Sequence, residues 1–115
     1  MMTVDTISKR LIAIGDAIRM ALDATLADDA SSEELRGALD DLAARHKEAK
    51  NRSKAADPRV AAELVHMLEA VADRAKQLAC DADGIDEGTR RAVLDAHDAI
   101  SMLESDVDAP TRRGL

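Results

Sequence analysis

Residues 4–26 read VDTISKRLIAIGDAIRMALDATL. Val4, Ile7, Leu11, Ile14, Ile18, Ala21/Leu22 and Thr25/Leu26 return in alternating steps of three and four. That spacing keeps one apolar stripe on one side of an α-helix, whereas a half-buried strand would alternate every second residue. Ile12 and Met20 widen the stripe. Gly15 interrupts it at a cost of about 1 kcal/mol relative to Ala, which a close helix crossing would explain. The first helix is therefore expected over about 3–28.

The same spacing continues downstream. Leu35, Leu39, Leu42, His46 and Ala49 form a second seam, opened by Ser31 as N-cap with Glu34 three residues on, a capping box. Lys50-Asn51 is a plausible stop, giving a helix over 31–50 and a polar loop over 51–57. Asp57-Pro58 restarts the chain, Asp as cap and Pro in the first turn. The third seam is Val60, Leu64, Met67/Leu68, Val71, Ala75, Leu78 and Ala82, a helix over 58–82 ended by Asp83-Gly84. Asp86 can cap a fourth helix over 86–107, with Val93, Ala96, Ile100, Leu103 and Val107 inside and Pro110 as its stop. Short connections make sequential helices antiparallel neighbours. The expected fold is all-α: a single domain over 1–110, an antiparallel up-down-up-down four-helix bundle, with 111–115 a flexible tail. Long helical hairpins that complete a core only as a dimer are the alternative.

Composition agrees. Not one of the 115 residues is Phe, Trp or Tyr, so the core must be built from 29 Leu, Ile, Val and Met residues and from 23 Ala. The strand-favouring aromatics are missing, and five Gly and two Pro leave few breaks. A net charge of −7 opposes nucleic-acid binding, which needs a basic footprint, and base stacking has no aromatic platform. It also disfavours an anionic membrane surface, and no apolar run approaches the roughly 20 residues needed to span a bilayer. Met1 to Arg10 lacks the order of a secretory signal, and the single Cys80 cannot form an internal disulfide. Both readings fit the cytoplasm.

One segment departs from the pattern. From Ala43 to Arg59 there is no Leu, Ile, Val or Met. Arg45, Lys47, Lys50, Arg52, Lys54 and Arg59 face only Glu48 and Asp57, a local +4 beside −11 for the rest of the chain. An under-packed bundle end is the expectation, with some surface of Ile7, Leu11, Leu64, Ile100 and Leu103 left uncovered. Exposed apolar surface rimmed by charge is a mark of a protein contact. A solvated helix end with a polar loop is the plainer reading.

The histidines are the other candidates. Antiparallel packing puts His46, His66 and His97 in one half of the bundle, spread axially over about 8 Å. Glu63-x-x-His66 is the helical half-site of di-iron bundles, but the second motif and the two further Glu such a site needs are missing. His46, Glu63, His66 and His97 remain candidate metal ligands, outweighed by ordinary hydrogen-bonded histidines. A phosphorelay histidine would carry Lys at the third position and then Gly, and none of the three runs matches that pattern. Cys80 has no adjacent His to activate it and reads as a core or boundary residue, and Met20, Met67 and Met102 read as core filler. There is no phosphate loop or nucleophile elbow, and no cofactor is implied. The expected function is that of a non-enzymatic cytoplasmic interaction or regulatory protein. Arg45, Lys47, Lys50, Arg52, Lys54 and Arg59 would contact a protein partner, or a second copy in a homodimer. A metal-binding bundle using the histidines, or a phosphorelay-type four-helix protein, is the alternative.

Overall fold

The computed structural model describes residues 3–54 and 57–113, with side chains as far as residue 108. Four helices follow one another: α1 (Val4–Ala27), α2 (Glu33–Ser53), α3 (Pro58–Asp81) and α4 (Glu87–Arg113), with no strand among the described residues. Each helix packs on two neighbours, while α1 and α3 face each other across the diagonal and barely touch. This is the up-down-up-down bundle that the short connections require. None of the described helices is long and apolar enough to cross a membrane.

The starts are set by side-chain caps. Thr3 Oγ1 accepts from Thr6 N (3.1 Å), Ser32 Oγ from Leu35 N (3.1 Å), and Asp57 Oδ1 from Arg59 N and Val60 N (2.8 and 3.1 Å). The capping box expected at Ser31 is not formed. Ser31 is buried, with its Oγ 2.7 Å from the Thr25 carbonyl and 2.8 Å from that of Asp28, and it accepts from Arg36 Nε at 2.9 Å. Its hydroxyl thus adds a second partner to carbonyls at the end of α1 that already accept the Asp28 and Ser31 amides, and the cap passes to Ser32, whose third residue on is Leu35 rather than Glu34.

The stops also differ from expectation. α2 continues through Asn51 to Ser53, because His46, Ala49 and Ser53 carry the buried seam onward in steps of three and four. The expected 51–57 loop shrinks accordingly; Ala55 and Ala56 lie outside the described residues. At the far end of α3, Arg90 donates to the Ala79 and Ala82 carbonyls (3.2 and 3.0 Å), and Gly84 turns the chain with φ +83°. Only glycine takes that conformation without strain. α4 runs through Pro110 to Arg113. Proline's φ is itself helical, so the helix can continue through it near its end at the cost of a backbone hydrogen bond and local crowding. Gly114 and Leu115, the remainder of the expected tail, lie outside the described residues.

The core closes within one chain. Ile7, Leu11, Leu64, Ile100 and Leu103, expected to be partly uncovered, are all buried, none more than 4% exposed. Small residues achieve this: Ala49 and Ser53 let α2 approach closely, and Ser53 Oγ lies 3.2 Å from Ser8 Oγ across the α1–α2 interface. On α3 the seam is rotated from the expected one. Ala61, Leu64, Val65, Leu68, Ala72, Ala75 and Ala79 face inward, while Val60, Val71 and Leu78 are half-buried flanks. Alanine at the contact brings the backbones together, so the larger side chains fit only at the edges. Met20, Met67 and Met102 are exposed rather than core filler, and so are Ile12, Leu26 and Cys80.

Candidate functional site

The basic segment and the histidines occupy two separate places. The first is an open groove of about 490 Å³ between α1 and α2. Ile12, Gly15, Ile18 and Leu22 line it from α1; Ala43, His46, Lys47 and Lys50 line it from α2, with Asp16 and Arg19 at the α1 edge. His46 shapes its floor. The ring is buried, its Nε2 sits 2.6 Å from the Leu11 carbonyl, and its Cε1 lies 2.8 Å from where a Cβ on residue 15 would be. The close approach expected at Gly15 is therefore made by an imidazole rather than by a helix backbone.

The six basic residues do not act together. Lys47 and Lys50 border this groove, and Lys54 borders a smaller one with Val4, Asp5, Ser8, Lys9 and Ile12. Arg45 is paired with Asp41 (3.5 Å) and Glu48 (3.9 Å), and Arg52 with Glu48 (3.0 Å). Arg59 is exposed in the first turn of α3, its backbone amide bound by the Asp57 cap. Arg19, which sequence reasoning passed over, also stands at the groove edge, paired there with Asp16 at 3.1 Å.

The second place is the outer face of α3 and α4. His97 Nε2 lies 2.7 Å from Asp73 Oδ1 and 3.6 Å from Glu69 Oε1, and Nδ1 lies 3.1 Å from Asp98 Oδ1. Ser101 Oγ donates to Glu69 Oε2 at 2.8 Å. Burial pushes the Glu69 carboxyl above the usual carboxylate range, with the adjoining Asp73 adding to the effect and Ser101 and His97 opposing it. Farther along, His66 is clamped by two carboxylates one turn apart on α4, Nδ1 by Glu104 (2.7 Å) and Nε2 by Asp108 (3.1 Å). The hydrogen bond to Glu104 raises its pKa above 6.5, and the charges of Asp108 and Glu104 add to this against partial burial.

The candidate ligands His46, Glu63, His66 and His97 do not converge. His46 faces α1. His66 and Asp73, the partner of His97, are seven residues apart on α3, about 10 Å along the axis. Glu63 is exposed and joins neither cluster. The residues brought together are instead Glu69, Asp73 and His97, whose ligand atoms all lie within 4.8 Å of one another. A signal was present in the sequence. The pairs His66–Glu104, Glu69–Ser101 and Asp73–His97 are all symmetric about residue 85, which lies in the α3–α4 connection. No family model matches this chain, and neither the curated proteins nor the solved structures give a match.

Proposed function

We propose that this chain is a non-enzymatic interaction module of the cytoplasm, and that the α1–α2 groove receives an amphipathic helix whose apolar face is flanked by acidic side chains. The observation that carries the reading is the make-up of the groove. Exposed Ile12 and half-buried Leu22 and Ala43 offer apolar surface, edged by Lys47 and Lys50 and by the Arg19–Asp16 ion pair. Helix-in-groove recognition uses apolar anchors at helical spacing. Complementary charge at the rim fixes register and speeds encounter. The local excess of positive charge in a chain of net −7 favours an acidic partner over nucleic acid or a membrane surface. The free thiol of Cys80 suits a reducing compartment.

Selection of displayed random peptides on the immobilised chain tests this reading. The expected ligands carry apolar residues at i, i+3/i+4 and i+7 with Asp or Glu beside them, and Lys47→Glu with Lys50→Glu should lose them. Enrichment of basic peptides, or retention by the double variant, would overturn the proposal. A light-scattering dimer whose formation blocks the selected peptides would make a second copy of the chain the occupant instead.

A further inference from the structure

We propose that Glu69, Asp73 and His97 form a binding site for a divalent cation, zinc by the chemistry of the donors, on the outer face of α3 and α4. The two carboxylates stand one turn apart on α3 and meet the same ring nitrogen of His97 on α4. This separates the site from the superficially similar cluster at His66. There the two carboxylates meet different nitrogens, so no single ion can replace both contacts.

The surroundings are arranged as for a metal. Zinc-ligating histidines characteristically donate their other ring N–H to a carboxylate, which fixes the tautomer. Asp98 stands in that position, 3.1 Å from Nδ1. With the proton on Nδ1, Nε2 is free to ligate, and it faces Asp73, Glu69 and, at 3.3 Å, the Ser101 hydroxyl. Ser101 holds Oε2 of Glu69 and leaves Oε1, the oxygen nearer His97, to ligate. No Lys or Arg pairs with Glu69, Asp73 or Asp98 among the described residues. Tetrahedral zinc, with ligands at about 2.0–2.2 Å, sets its donor atoms about 3.4 Å apart. The observed 2.7 and 3.6 Å lie on either side of this value, all three donor atoms fall within 4.8 Å of one another, and the Asp73 side chain is 60% exposed and able to move. A water would complete the four ligands.

The test is calorimetric titration of the chelator-treated full chain with zinc chloride. One ion per chain is expected, and elemental analysis after desalting should recover it. Asp73→Asn should weaken binding at least tenfold, and His97→Ala should abolish it. Asp98→Asn, which touches only the histidine, should weaken it by about 10–100-fold. His66→Gln should bind as the wild type does. If His97→Ala loses its helical circular dichroism, Asp73→Asn, on an exposed side chain, decides alone. Absence of zinc binding by the wild type, or undiminished binding by Asp73→Asn, would overturn the site.

Discussion

An alanine at position 15 would put its Cβ 2.8 Å from Cε1 of His46, too close for both to stay in place. The imidazole is buried and held to the Leu11 carbonyl, so it cannot swing away freely. Gly15→Ala is expected to destabilise the fold. Overpacking of this kind costs about 1–3 kcal/mol, more than the roughly 1 kcal/mol that alanine gains in helix propensity. The effect should reverse in a His46→Ala background, where the Cβ meets open space and Gly15→Ala stabilises by about 0.5–1 kcal/mol. Denaturant melts of the four chains measure that coupling; additive effects would mean that the two residues do not touch. His66 sets a different dependence. Its partners Glu104 and Asp108 raise its pKa above 6.5, so its contribution to stability is complete below that pH and is lost as pH rises through the raised value. The melting temperature should fall across this range, and His66→Gln should flatten the slope. The slope will be shallow, because the ring is 45% exposed and water screens the pairs.

At the level of the helices, hydrophobic spacing located all four, and chemistry that spacing does not describe moved their ends. The Asp57-Pro58 start was legible because Asp and Pro do one thing there. The start of α2 was not, since Ser31 and Ser32 are both able caps and only the end of α1 decides between them. Ser32→Ala should cost about 1 kcal/mol by leaving the Leu35 amide without its partner. Ser31→Ala should also destabilise, but through the buried carbonyl of Thr25 and the Arg36 guanidinium. Aspartate separates the two roles, because it caps as well as serine. Ser32→Asp should keep wild-type stability, whereas Ser31→Asp would set a carboxylate against the Thr25 and Asp28 carbonyls and destabilise. Thermal melts followed by circular dichroism resolve the four variants, and an unstable Ser32→Asp would move the cap back to Ser31. The rotated seam of α3 was hidden for a related reason. Val60, Met67, Val71 and Leu78 outrank Ala61, Ala72 and Ala79 in hydrophobicity, yet close helix contact selects the smaller side chains. The acid–imidazole cluster was hidden because it belongs to neither helix alone; it needs the α3–α4 register.

For the whole molecule, the aliphatic gap over 43–59 suggests an under-packed bundle end with Leu11 and Leu103 partly uncovered. Leu11 and Leu103 are instead fully buried, and the seam of His46, Ala49 and Ser53 covers the end of the bundle where the aliphatic residues run out. A carboxylate placed at either leucine would have to be desolvated without a partner, at a cost of several kcal/mol against a total stability of only about 5–15 kcal/mol. Leu11→Asp and Leu103→Asp are therefore expected to unfold the chain, with loss of helical circular dichroism, and not to release a folded monomer. The groove behaves oppositely. Lys47 is exposed and Lys50 half-buried at its rim, and neither forms an ion pair among the described residues, so reversing both to Glu removes no apolar contact from the core. That variant should melt close to the wild type, lowered slightly because two new acids stand near the C-terminal end of α2, where the helix dipole prefers cations. Its binding of an acidic amphipathic peptide should be lost, and the wild type's binding should weaken with salt, since exposed charges are screened over about 8 Å at physiological ionic strength. A folded, helical Leu11→Asp monomer would return the dimer to consideration. Salt-independent binding that survives the charge reversal would leave the basic rim of the groove without a role in recognition.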